Sequence, residues 1–389
     1  MPAGTPLSRQ LHWARQLTDE LFGVIRDDSL YERPIPERHR LVFYLGHLEA
    51  FDWNLLARDT LGQAPFHSTF DHLFAFGIDP GEGDLPRDQP SDWPAVEEIA
   101  RYNQRVRERL DEALPEFPAV LVEAAIEHRL MHAETLAYLL HQLPYERKRE
   151  PRVPAAAVGG VYRTRMIDIP EGPADLGLCP GAGFGWDNEY QPHRVDVPAF
   201  AISKHKISNG EFLEFVCAGG SAPFFWNYRE GAWFYRGMFR EIPLPLDWPV
   251  YATHSQAEEY ARWRGLALPT EAQFHRAAAG LPVSVNTDFR YWDPVPVTAD
   301  DPPDGAADGR PAQMTGNGWE WTSTVFGPFP GFKPFSFYAN YSAPFFDGQH
   351  FVLKGGSPRT AARLLRPSFR NWFRPSYPYV YATFRLVTP

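Results

Sequence analysis

The chain has 389 residues, of which 44% are hydrophobic and 22% charged, and its formal net charge is −10; that length predicts two domains with ample core, and an acidic balance without a basic stripe excludes nucleic acid as a partner. Only two cysteines, Cys179 and Cys217, are present, which excludes a disulfide framework and a zinc ribbon. The start MPAGTPLSRQLHWARQL has no apolar leader core and no later run is long enough to span a bilayer, so we expect a cytoplasmic protein with no membrane partner.

Residues 6–145 read as helical. Apolar residues recur at spacings of three and four in LSRQLHWARQLTDELFGVI, HRLVFYLGHLEAFDWNLLARDTL, WPAVEEIARYNQRVRERLDEAL and FPAVLVEAAIEHRLMHAETLAYLLHQL. The Pro- and Gly-rich FGIDPGEGDLPRDQP separates the second from the third, so a four-helix bundle with one long connection is expected over residues 1–150. YERKREPRVPAAAVGG then reads as a linker. Over residues 151–389 the helical period fades. ISNGEFLEFV predicts a short helix capped by Ser or Asn, and SQAEEYARWRG predicts another from Ser255 to Gly265. The remainder is short apolar stretches broken by Gly, Pro, Asn and Asp, with most of the chain's surplus of aromatic residues. That pattern fits an irregular α+β domain whose loops carry function.

One stretch of the fourth helix carries chemistry: EHRLMHAE, residues 127–134. A helix advances about 100° per residue, so His128 and His132 lie one above the other on one face, able to reach one ion. Two ligands hold a metal poorly, and bundles draw ligands from facing helices. The second helix offers His47 within YLGHLEAFDWN. His47, His128 and His132 would give three neutral ligands with open positions, which suits iron, zinc or copper. Glu134 falls about 200° round from His132, on the wrong side for a fourth ligand; His72 and His141 read as ordinary histidines. An HxxxH pair alone is also common as plain helix surface.

The order of motifs along the chain is more specific than any one of them. The stretch His128–Glu134 (HxxxHxE) and YERPIPERHRLVFYLGH resemble the DinB-like half of the ergothioneine sulfoxide synthases. FGWDNEYQPHRVDVPAFAISKHKISNGEFLEFV, LPTEAQFHRAA, GNGWEWTST, YSAPFFDG, LKGGSPRT, SFRNWFRP and the final FRL resemble the domain those enzymes share with formylglycine-generating enzyme, a C-type-lectin-like fold. The resemblance covers nearly the whole chain. It implies Fe(II) held by His47, His128 and His132, with O2 as co-substrate, and a reaction joining a chalcogen to C2 of the imidazole of hercynine (Nα-trimethylhistidine). It further implies Tyr338 as proton donor, Tyr341 as a pocket-lining residue, and Asn371 with Trp372 as contacts for hercynine, the indole facing its quaternary ammonium.

Two positions depart from the family pattern. Users of γ-glutamylcysteine carry an aspartate after Asn-Trp and a glutamine before the second helix histidine; here these are Phe373 and Met131. Losing that carboxylate removes an ion-pair partner for the donor's ammonium group. The substrate expected on this reading is a selenosugar, as in the selenoneine-forming members of the family. The alternative is a sulfur-using synthase taking cysteine or γ-glutamylcysteine. A formylglycine-generating activity would need a cysteine pair in the C-terminal portion, and none follows Cys217. A DinB-type thiol transferase would leave the second domain without a role. A non-catalytic lectin-like binding module predicts no stoichiometric iron.

Overall fold

A computed structural model describes residues 5–58, 61–77, 85–152, 160–284, 286–301 and 309–388. The chain divides into two units, Met1–Arg152 and Val153–Pro389.

In the first unit the apolar periodicity becomes helices α1 (Leu7–Gly23), α2 (Leu41–Trp53), α3 (Ser68–Phe76), α4 (Val96–Ala113) and α5 (Ala119–Gln142). A π-helical turn, Asn54–Arg58, extends α2. α1 packs on α5, and α2 packs on α3, α4 and α5. α1 and α4 keep one apolar face each, whereas α2 and α5 bury residues all round, which makes them the centre of the bundle. That centre includes polar side chains of α2 (His47, Glu49, Asp52) and of α5 (Glu127, His128, Arg129). Polar groups in such a position must find partners.

The connection expected as one long loop contains α3, which begins at His67: its Nδ1 accepts a hydrogen bond from the Phe70 N–H at 3.2 Å. Histidine is not among the usual helix caps, so the sequence gives no start signal there.

In the second unit the described strands are short and lie in four small sheets. β1 (Met166–Ile169) pairs antiparallel with β4 (Phe200–Ser203), and β2 (Gly172–Leu176) with β3 (His193–Val197). β5 (Trp226–Arg229), β6 (Ala232–Arg236) and β7 (Glu241–Pro243) form a meander. Its first turn places Glu230 and Gly231 at φ 52° and 78°, both positive as a tight hairpin with right-handed strand twist requires. The largest sheet runs β10 (Asn371–Phe373), β9 (Phe351–Lys354), β8 (Trp319–Val325), β11 (Ala382–Thr383), with β11 parallel to β8. Helices α6 (Asn209–Cys217), α7 (His254–Trp263) and α8 (Glu271–Ala278) pack around these strands. Ser208 caps α6, and Glu211 completes a capping box. α7 starts one residue before the expected Ser255, because Thr253 and Gln256 form the capping box there.

Buried ion pairs tie the motifs of this half to one another. Glu320 of GNGWEW takes Lys206 and Arg385, all three fully buried, so strand β8 is tied to the segment after β4 and to the C-terminal FRL. Glu271 of LPTEAQ takes Arg370 of SFRNW at 3.0 Å. The Arg370 guanidinium also donates to the Gly327 carbonyl at 2.9 Å. Arg370 precedes Asn371 in sequence, so these contacts fix the start of β10.

Candidate metal centre and aromatic cluster

α2 and α5 bring His47, His128 and His132 together. One nitrogen from each ring lies within 4.8 Å of the other two, the only such His, Cys, Asp or Glu grouping found among the described residues. His47 Nε2 and His132 Nε2 stand 3.2 Å apart. His47 Nδ1 lies 2.6 Å from the Phe74 carbonyl of α3, so it carries the proton and donates. The neutral ring then has a lone pair at Nε2, pointing at the imidazole of His132. With His132 protonated at Nε2 the two rings share a hydrogen bond, and a cation between them would replace that proton with coordination. Two nitrogens each about 2.1 Å from one ion stand roughly 3 Å apart, so the observed spacing fits.

The electrostatics also suit ligation. Burial lowers the pKa of His47 to about 4 against the opposing Phe74 hydrogen bond, and burial with the neighbouring rings holds His128 and His132 well below the ordinary range. All three are therefore neutral at pH 7, the form that binds metal. Three neutral nitrogens with no carboxylate among them match the expected donor set.

Aromatic rings brace two of the ligands. Phe51 stacks on His128 with centroids 3.4 Å apart and planes 10° apart, and Phe43 stacks on His47 at 4.8 Å and 26°. Phe43, His47 and Phe51 follow the spacing i, i+4, i+8, one face of α2. Beneath them lies an ion network that our sequence reading missed. Arg129, the neighbour of His128, donates to Glu49 and Asp52 of α2, each at 2.7 Å. Arg107 of α4 reaches the same Glu49 at 2.7 Å and pairs with Asp19 of α1 at 2.7 Å. Burial would raise the Glu49 pKa, but Arg129 and Arg107 overcome it and hold the carboxyl at about 2. Met131 lies half-buried on α5 between the two histidines of that helix. Glu134 is buried and outside the ligand cluster.

In the second unit Tyr338, Tyr341 and Trp372 share one aromatic cluster. Tyr338 and Tyr341 have ring centroids 5.6 Å apart, and Tyr341 meets Trp372 edge-on at 5.4 Å. Trp186, fully buried, stacks on Tyr341 at 4.1 Å. Trp372 lies flat on Phe326, 4.2 Å apart and 6° from parallel. Burial raises the Tyr338 pKa, so its hydroxyl keeps its proton at neutral pH. Asn371 accepts a hydrogen bond from the Trp372 N–H through its side-chain oxygen at 2.9 Å, which leaves the amide NH2 as the group to offer outward. Phe373 is not part of this cluster; it stacks on Tyr377 at 5.2 Å, and Tyr377 meets Tyr379 at 5.1 Å. Trp186 and Phe326 were missed because single aromatics in a ring-rich sequence carry no periodic signal.

Comparison with known proteins places the chain in a family. Residues 10–146 match the DinB superfamily, and residues 155–301 and 311–389 match the Sulfatase-modifying factor enzyme 1-like domain. The chain is 31% identical to the hercynine oxygenase of Mycolicibacterium smegmatis, over 100% of this chain and 99% of that protein. It is 31% identical to the hercynine oxygenase of Mycolicibacterium thermoresistibile, over 100% of this chain and 95% of that one. Ergothioneine biosynthesis protein 1 of Schizosaccharomyces pombe is 28% identical over 94% of this chain, which spans only 53% of that relative. Matched from end to end by the mycobacterial proteins and in each half by a domain model, the chain belongs to the family of the hercynine oxygenases.

Proposed function

We propose that this protein is a nonheme iron enzyme that uses O2 to join a chalcogen donor to C2 of the hercynine imidazole. The observation that carries the reading is the cluster of buried His47 and His128 with half-buried His132, in a chain whose full-length relatives are hercynine oxygenases. Fe(II) is the metal of this reading, and when bound it would supply the redox chemistry with O2 that an otherwise unreactive imidazole carbon requires.

The remaining roles belong to side chains. Trp372, with Tyr341 beside it, offers ring faces to the trimethylammonium group of hercynine by cation–π attraction. The Asn371 amide donates to the substrate's polar groups. Tyr338 holds a proton at its hydroxyl and delivers it as charge develops during coupling. The lowered pKa values of the three histidines keep protons from competing for the ligand nitrogens.

A sulfur donor, cysteine or γ-glutamylcysteine, is the reading closest to the ergothioneine-pathway relatives. A second reading, a neutral selenosugar, is favoured by one observation. Phe373 is stacked with Tyr377 where a carboxylate would pair with a donor's ammonium, and such rings suit a sugar face. The deciding experiment is aerobic incubation with Fe(II) and hercynine, offering cysteine, γ-glutamylcysteine and a selenosugar in turn, with mass spectrometry of the products. A coupled product from any donor supports the enzyme reading, and its mass identifies the chalcogen. Unreacted hercynine with all three would contradict it.

A further inference from the structure

Tyr338 and Tyr341 belong to no helix or strand; turns and bends carry them, leading into the 3-10 turn Ala343–Phe345. With no ladder to fix them, these rings depend on side-chain contacts. Ser342 supplies one. It is fully buried, and its Oγ donates to Asp187 Oδ1 at 2.5 Å.

Asp187 opens a short turn, Asp187–Glu189, that is buried throughout. Trp186, just before it, stacks on Tyr341 at 4.1 Å and meets Tyr338 at 6.2 Å. At the far end Glu189 pairs with Arg366 and accepts from Ser368 Oγ at 2.7 Å, and the Asn188 carbonyl accepts from Arg370 at 3.4 Å. The turn therefore joins the stretch bearing Tyr338 and Tyr341 to the one that leads into Asn371 and Trp372. Asp187 is its costly member. Glu189 has Arg366 to offset its burial, whereas no arginine or lysine pairs with Asp187 among the described residues. Burial raises the Asp187 pKa, against the Ser342 hydroxyl. A buried charge is weak evidence of stability, and the side-chain partner of this one lies directly beside Tyr341.

We propose that Asp187, acting through Ser342, is a positioning residue for the coupling reaction: it keeps Tyr341 against Trp186 and sets where the Tyr338 hydroxyl delivers its proton. This rests on the proposed role of Tyr338. A displacement of about 1 Å in a reacting group can cost about 100-fold in rate.

Two measurements test it, one of them without substrate. Hydrogen–deuterium exchange of the full chain should show faster uptake across residues 338–346 in Asp187→Ala and in Ser342→Ala. Asp187→Asn, which keeps an oxygen for Ser342, should exchange like the unaltered chain. In the aerobic assay, with hercynine and the donor that the unaltered chain accepts, each alanine variant should lose about tenfold in kcat, with KM for hercynine little changed. Asp187→Asn should restore the rate. In a Tyr338→Phe background, Asp187→Ala should cost nothing more, whereas a merely structural role would lower both backgrounds alike. Unchanged uptake in both alanine variants, an undiminished kcat, or an equal loss in the Tyr338→Phe background would overturn the proposal. A chain that exchanges as expected yet couples no donor would instead overturn the reaction reading.

Discussion

The ring nitrogens of His47, His128 and His132 are neutral because burial makes them so, and stacked phenylalanine rings hold His47 and His128 in place. Phe51→Ala removes the ring lying 3.4 Å from His128. We expect metal affinity to fall on the order of tenfold, as for other supports behind a ligand, with the far-ultraviolet circular dichroism unchanged. Competition with a chromophoric chelator measures the first and the spectrum checks the second. Tyr338→Phe removes a proton from a position where burial keeps the hydroxyl protonated. It should slow coupling or divert turnover towards oxidation of the donor while metal content stays the same; unchanged product yield and distribution would count against the role. His128 and His132 were legible in the sequence because i, i+4 spacing maps directly onto a helix face, and His47 because bundles draw ligands from facing helices. The same i, i+4 spacing would have found Phe43 and Phe51 around His47. The Phe74 carbonyl that orients His47 was not legible, because a backbone oxygen on another helix leaves no mark in residue identity.

Among the elements, the pairing of α2 with α5 matters most, since it brings the ligands together. Arg129 is fully buried and bonded to Glu49 and Asp52 across that pairing. Arg129→Met would leave Asp52 without its cation and Glu49 with Arg107 alone. Removing one partner from a buried pair costs about 3–5 kcal/mol, and we expect a loss of that size in denaturant unfolding of the N-terminal unit. The helices themselves were legible from their period, and the Ser208 cap from its residue type. α3 was not, since it is short and starts at a histidine, and the start of α7 was misread because Thr253 outcompetes Ser255 by closing a capping box with Gln256. The short strands of the second unit were legible only as a class. Their order depends on ion pairs between distant segments, Glu320 with Lys206 and Arg385 and Glu271 with Arg370, which no local pattern encodes.

At the scale of the whole molecule, the two units make separable predictions. In the second, burial lowers the pKa of His205 to about 4 and of His275 to about 3, each against partners that would raise it: Asp301 for His205 and Glu271 for His275. Between about pH 4 and 6.5 the unfolded chain therefore binds more protons than the folded one. Stability must fall as pH drops through that window, by at most about 1.4 kcal/mol per pH unit for each histidine. Urea midpoints at pH 7 and pH 5, followed by tryptophan fluorescence, measure this; nine of the chain's 12 tryptophans lie after residue 152, so the signal reports chiefly on that unit. The first unit carries the central claim, that His47, His128 and His132 form one metal site. The most direct measurement is iron stoichiometry after anaerobic loading with Fe(II) and desalting. The account predicts about one iron per chain for the unaltered protein and essentially none for His128→Ala with His132→Ala, the fold intact by circular dichroism. Iron retained at the same stoichiometry in the double variant would contradict it.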